Sequence, residues 1–216
     1  MLPFLTGDGA MIDQFASNSA LLIIDAQKGV NVCSHWGGEG GHRNNLDADS
    51  NISRLLQAWR EKKLPVYFTL HDSREKASPL KLSLPTGASL PGLEPHPGER
   101  VLIKDVNSAF LGTGLQSLLR LDGITRLIVA GYFTNMCVET TVRMAGNMRF
   151  DTYLAHDACA ASNRVAPEGT GYDADTVHRM SVANMHGEYC TALPTEEILR
   201  LLEAGATHLL RAQGNE

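Results

Sequence analysis

Three side chains with chemical capacity stand where apolar runs end. Asp25 closes ALLIID (20–25), Lys104 closes VLIK (101–104), and Cys137 follows the end of RLIVAG (126–131) by six residues. A thiol attacks a carbonyl or nitrile carbon once a neighbouring base takes its proton. A carboxylate is such a base, and an ammonium group steadies both partners. Thr134 or Asn135 is placed to cap a helix through NMCVETTVRMAGN, which sets Cys137 in the first helical turn. Unpaired N–H groups and the positive end of the helix dipole favour a thiolate there, and the same N–H groups suit an oxyanion. Each residue also has a plainer reading. Free cysteines are mostly small buried hydrophobes. Asp25 can bond loop N–H groups, and a buried Lys–Asp pair can be purely structural.

The elements that must bring these residues together follow from the hydrophobic pattern. Strand candidates are ALLIID, PVYFTL (65–70), VLIK, RLIVAG, a run within MRFDTYLAHDA, and EYCTAL. Between them lie amphipathic stretches. NISRLLQAWREK puts Ile52, Leu55, Leu56 and Trp59 on one face, with Asp49 or Ser50 as its cap. LGTGLQSLLRLDG stops at Gly123, and TVHRMSVANMHG is a later helix. PTEEILRLLEAG has Thr195 as its cap and Glu196 and Glu197 in the favourable first turn. Alternating strands and helices predict a Rossmann-like three-layer α/β/α sandwich with a mainly parallel sheet of about six strands. Ligands bind such sheets beyond the carboxyl ends of the strands, near a switch point. Asp25, His71, Lys104 and the 131–137 turn all lie at such ends. Residues 71–100, rich in Pro, Gly and Ser, are expected to form a long loop over that edge. The whole chain, 1–216, is expected to be one domain, with residues 1–18 as an N-terminal extension.

The bulk properties narrow the function. The 216 residues carry a formal net charge of −5, and no basic cluster is present. That argues against nucleic acid and anionic membrane surfaces as partners. No run approaches the roughly 20 apolar residues that span a bilayer. The first residues lack the basic and apolar regions of a secretory signal, so a cytoplasmic protein is expected. The four cysteines form no CxxC pair and are expected to be reduced, with Cys159 and Cys190 in the core. The GTG at 112–114 lacks the third glycine of a nucleotide loop, Ser117 standing in its place, so helix packing accounts for it.

The blocks LLIIDAQ, IKDVNSAFLGTGL, LIVAGYFTNMCVETTVRMA, YLAHDACAAS and VHRMSVANMHGEYCTAL run in this order from near residue 20 to near residue 200. Together they resemble the isochorismatase-like cysteine hydrolase family, which includes nicotinamidases and N-carbamoylsarcosine amidase. The resemblance implies a catalytic triad of Asp25, Lys104 and Cys137. Asp25 would take the thiol proton and return it to the leaving amine, Lys104 would orient Asp25 and stabilise the thiolate, and Cys137 would carry the acyl group. It also implies a cis peptide at Tyr132–Phe133 and an oxyanion hole from the Phe133 and Cys137 N–H groups. Two departures stand out. Val30 takes the place of an aromatic residue the family often has after its first Asp. The Asp-x-His start of the nicotinamidase metal set is missing, although His35, His42 and His71 lie in that half. Neither a metal nor another cofactor is therefore expected.

The expected partner is a small-molecule substrate, and the resemblance implies a homo-oligomer, dimer or tetramer. His35 and Trp36, in the Gly-rich loop of residues 31–45, are pocket candidates; that loop is equally a lid, a subunit contact or plain surface. His71 and Tyr132 are further candidates for the pocket. His178 and His186, on a late helix, are expected to pack or meet solvent. The expected activity is hydrolysis of a C–N bond in a small amide, urea or carbamoyl compound. One alternative is an isochorismatase-type vinyl-ether hydrolase, which protonates its substrate and needs the Asp but no thiol. Another is a non-catalytic protein that keeps the fold.

Overall fold

Ser19–Ile24 (β1) is buried along its whole length. Leu21 and Ile23 enter one core, while Ala20, Leu22 and Ile24 enter another. An unbroken apolar run fits a strand covered on both faces. The computed structural model describes residues 14–37 and 42–213 and places β1 inside a six-stranded sheet. Residues 1–13 of the expected N-terminal extension and 38–41 of the Gly-rich loop lie outside the described residues.

The chain runs from β1 through a short helix, Cys33–Gly37 (α1), and Ala48–Glu61 (α2) to Val66–His71 (β2) and Arg100–Lys104 (β3). Leu115–Leu121 (α3), Arg126–Tyr132 (β4), Glu139–Asn147 (α4) and Asp151–Ala160 (β5) follow. A small antiparallel hairpin, Arg164–Val165 (β6) with Gly171–Tyr172 (β7), precedes Ala174–Met185 (α5), Thr191–Leu193 (β8) and Thr195–Gln213 (α6). The sheet order is β3-β2-β1-β4-β5-β8, and every neighbouring pair is parallel. Helices α2 and α6 pack on one face around Phe15 and Trp59; α3, α4 and α5 pack on the other around Leu119, Val142 and Met185. This is the three-layer α/β/α sandwich expected from the alternation. The strand order reverses between β1 and β4, so Asp25 and Phe133 leave the sheet side by side at its switch point. Among the described residues, no helix is long and apolar enough to cross a membrane.

Side-chain caps differ from expectation. In α2, which starts at Ala48, neither Asp49 nor Ser50 caps. Asp49 pairs instead with Arg43, and the Ser50 hydroxyl donates to the Asp47 carbonyl. Thr195 donates both its N–H and its hydroxyl to Asp157 rather than accepting from the helix. Helix α5 begins two residues before Thr176, where Asp173 accepts from the Thr176 N–H at 2.6 Å. Asp49 and Thr195 are drawn off by partners elsewhere, and of these three helices only α5 carries a side-chain cap of the expected kind.

Residues 72–99 carry little regular structure beyond a single 3-10 turn, Pro85–Gly87. They are tied to the chain just after β1. The Gln27 side chain donates to the Gly87 carbonyl, Lys28 N–H to Ala88, and Leu90 N–H to Ala26, each at 2.8 Å. Leu80, Leu90 and Leu93 share a core with Val30, so the smaller residue at position 30 packs against this segment.

Gly131 lets the two central strands approach at their ends. Its φ is +128°, and a Cβ there would lie 2.1 Å from the Ile24 carbonyl oxygen. The β4–β5 register shifts at the same place, between Val129 and Gly131. Gly131→Ala should therefore cost more than about 3 kcal/mol of unfolding free energy, or prevent folding. Gly171→Ala, where a Cβ meets nothing within 4 Å, should change stability by less than about 0.5 kcal/mol. Urea denaturation of the two variants compares them directly.

Candidate active site

Three adjacent parallel strands deliver the polar cluster. His71 and Lys104 are register partners on β2 and β3, and Ile24, the residue before Asp25, pairs with Thr69. The Lys104 side chain is fully buried, and its ammonium is held by Asp25 Oδ2 at 2.6 Å, His71 Nδ1 at 3.0 Å and the Val106 carbonyl at 3.1 Å. An ammonium has three protons to donate, and these three acceptors use them all. Thr69 Oγ1 donates to the other Asp25 oxygen at 2.7 Å. Gln27 clamps the His71 backbone, accepting from its N–H at 2.8 Å and donating to its carbonyl at 3.1 Å.

These contacts set protonation states. Lys104 can only donate, so His71 Nδ1 accepts and the ring proton sits on Nε2. Burial, then the ammonium beside it, holds His71 below its ordinary pKa. Burial alone would lower Lys104, but the charge of Asp25 and the nearby Cys137 outweigh it and raise the amine. Cys137 is pushed well up, first by burial and then by the Asp25 carboxylate, against the opposing pull of Lys104. That direction favours the thiol over the thiolate, opposite to the expectation from a helix start, because desolvation of a buried sulfur beside a carboxylate works against the charged form.

The local backbone at Cys137 also differs from a capped α-helix. Thr134–Val138 form a π-type turn that leads into α4. The Phe133 carbonyl accepts from Met136 at 3.0 Å and from Val138 at 3.2 Å. In an α-turn its partner would be the Cys137 N–H, which this turn passes over. Neither expected cap acts as one. Thr134 Oγ1 is bonded to His178 Nδ1 at 2.8 Å, and Asn135 Oδ1 is buried without a partner among the described residues. His178 is thus a buried ring supporting the turn, and burial lowers its pKa to about 4.

The Tyr132–Phe133 peptide is cis. The Tyr132 hydroxyl accepts from Arg43 Nη1 at 2.7 Å and bonds to Asp49, which holds Arg43 through two 2.9 Å contacts. The Phe133 ring lies against Trp36, with centroids 5.0 Å apart. Arg43 and Asp49 were not marked in the sequence as site residues. Nothing local to them suggests the role, because the partner hydroxyl is more than eighty positions away.

One carboxylate oxygen of Asp25, a ring nitrogen of His71 and the Cys137 sulfur lie within 4.8 Å of one another, and Cys137 Sγ is 4.0 Å from His71 Nδ1. These are metal-type donors, but they do not fit a metal here. The Lys104 ammonium already sits on Asp25 and His71, and a divalent cation would have to share that space against its charge.

Cys137 opens on a cavity of about 380 Å³. The four pocket candidates, His35, Trp36, His71 and Tyr132, all line it. So do Ser73, Glu75, Ser78 and Leu80, which come from the long segment after β2. Asn107 and Arg164 also line it and were not marked in the sequence. Arg164 lies on the β6–β7 hairpin, whose signal was the turn-rich PEGTG at 167–171.

This arrangement has counterparts in known proteins. The model of the isochorismatase domain matches residues 19–196. The chain belongs to the isochorismatase family. The isochorismatase family protein YrdC of Bacillus subtilis is 39% identical over 180 residues, 83% of this chain and 94% of its own. The crystal structure of an isochorismatase-family protein from Chromobacterium violaceum has a TM-score of 0.82 at 44% identity, covering 88% of this chain and 96% of its own. A shorter match, 34% identical over 98 residues, joins 45% of this chain to 34% of the ureidoacrylate amidohydrolase RutB of Methylobacterium radiotolerans.

Two outcomes follow from the cluster. Lys104→Met strips the cation from a buried carboxylate and should destabilise the protein by about 3–5 kcal/mol at neutral pH, with Asp25→Asn added to it recovering part of the loss. Because the folded state holds His71 below its ordinary value of 6.5, the unfolded chain binds the proton first as pH falls. The His71 contribution is therefore complete above that value and is lost as pH falls through the depressed folded pKa. His71→Asn should flatten this part of the stability–pH curve; an unchanged slope would contradict a neutral His71.

Proposed function

We propose that this isochorismatase-family hydrolase cleaves a C–N bond of a small amide, urea or carbamoyl compound through a covalent acyl-enzyme on Cys137. The observation that carries this reading is the meeting of a thiol, a carboxylate and a fully bonded ammonium at the base of one cavity. The Asp25 carboxylate lies within 4.8 Å of the sulfur and has lone pairs to spare, whereas His71 Nδ1, 4.0 Å away, has its single lone pair on Lys104, so Asp25 is the base for the thiol proton. The amidohydrolase name of one partial relative supports the same bond type.

The steps follow from the protonation states. A free thiolate in this dry position would be costly, so proton transfer accompanies attack. The sulfur bonds to the substrate carbon as Asp25 takes its proton. The carbonyl electrons move onto oxygen, and the oxyanion is received by the N–H groups of Phe133 and Cys137. The π-type turn supports this assignment, since it leaves the Cys137 N–H off the Phe133 carbonyl. Asp25, now a carboxylic acid, protonates the leaving nitrogen as the C–N bond breaks. Water then gives its proton to Asp25 and attacks the thioester, releasing the acid or carbamate and restoring the thiol. Lys104 keeps its charge throughout and holds Asp25 in place.

A screen of small amides, ureas and carbamoyl compounds, read by ammonia or amine release, should find turnover in the wild type. Cys137→Ala should reduce it at least about 1,000-fold while the fold is kept. Mass spectrometry should show the acyl group on the Cys137 peptide during turnover. Full activity in Cys137→Ala, or pyruvate release from isochorismate without any ammonia-forming activity, would overturn the reading.

A further inference from the structure

Arg164 stands apart from the other arginines. Arg43, Arg60, Arg126 and Arg143, the other described arginines that are not exposed, each pair with a carboxylate. Arg164 is half-buried in the wall of the Cys137 cavity and pairs with none among the described residues. Its contacts are neutral: Nη1 donates to the Trp36 carbonyl at 3.1 Å, and Nη2 lies 3.3 Å from the Met136 sulfur. Burial lowers its pKa with no acidic neighbour to offset the effect. A guanidinium nevertheless stays charged in proteins.

The remaining charges in the wall do not cancel it. Asp25 and Lys104 neutralise each other beneath the cavity. Glu75 is the carboxylate among the described lining residues, but its side chain is 63% exposed and lies 3.9 Å from His35. Among the described lining residues Arg164 is therefore the permanent cation, and it faces the cavity without an ion-pair partner, while the Glu75 carboxylate sits at the solvent side. Two of its five N–H groups are directed at Trp36 and Met136, which leaves donors for a planar, two-oxygen acceptor.

We propose that Arg164 binds a carboxylate of the substrate, so that the bond cleaved at Cys137 belongs to a small molecule carrying a free acid group. This deepens the reading of Cys137 as an acylating nucleophile and rests on it. The Trp36 carbonyl contact fixes the guanidinium, and the anion it receives replaces the counter-ion that the fold does not supply. The acid group selects and orients the substrate while the amide reaches the sulfur.

The test uses monoamides of linear dicarboxylic acids of increasing length, starting from malonic and succinic acid, beside the matching uncharged diamides. Ammonia release should favour the best monoamide by about 10- to 100-fold in kcat/KM, mostly through KM. Arg164→Gln should abolish that preference, and Arg164→Lys should keep part of it; thermal melting confirms that both fold. A second readout needs no turnover: protection of Cys137 from iodoacetamide by the same diacids and diamides. Diacids should protect better than diamides in the wild type but not in Arg164→Gln. If C–N cleavage is wrong, no amide releases ammonia, yet the Arg164-dependent protection remains. If the carboxylate proposal is wrong, the wild type shows no preference at any length, or a preference that survives Arg164→Gln.

Discussion

A fully buried ammonium constrains everything around it. Lys104 has left water, and a cation of that kind persists only when its charge and its protons are met inside the protein. Asp25 supplies the charge, while His71 and the Val106 carbonyl take the remaining protons. Each acceptor must then stand within a few tenths of an ångström of its place. Gln27 and Thr69 do that second task, one by clamping the His71 backbone and the other by occupying the far oxygen of Asp25. The result is a rigid polar floor whose pair of opposite charges sums to zero. The Cys137 sulfur lies beside it.

The sulfur arrives from the other side of the switch point. Strand β4 leans against β1 where Gly131 meets Ile24, and the chain then turns through Tyr132 and Phe133 into the π-type turn. That turn is supported from two directions. Arg43 and Asp49 grip the Tyr132 hydroxyl, and His178 holds Thr134. Neither support bonds to Asp25 or Lys104, so the sulfur and the carboxylate are located by separate parts of the fold. A third part walls the cavity: α1, the segment after β2, and the β6–β7 hairpin.

The sheet and most helices were legible because their signal is local. ALLIID, PVYFTL, VLIK and RLIVAG are apolar runs bounded by breakers, and the period of Ile52, Leu55, Leu56 and Trp59 marks a helix face. Asp25 and Lys104 stood out for a related reason, as charged residues closing apolar runs, and Cys137 as a thiol just past the end of another. What escaped was set by distance in the chain. Asp49 and Thr195 look like caps by spacing, but Arg43 and Asp157 compete for them. At Cys137 a helix start favours a thiolate, whereas burial and Asp25 push the thiol up, and neither of those is visible in the local sequence. For Arg164 the turn-rich PEGTG marks only its hairpin, since an arginine reads as surface until its neighbours are known.

The thiol state is the point on which the chemistry turns, because a base is needed only if the sulfur holds its proton. Ultraviolet titration of thiolate absorbance, taken as the difference between wild type and Cys137→Ser, reads that state directly. No Cys137 thiolate signal should appear below about pH 9, the ordinary thiol value. A Cys137 transition below about pH 7 would show a thiolate already formed at rest and would contradict the account.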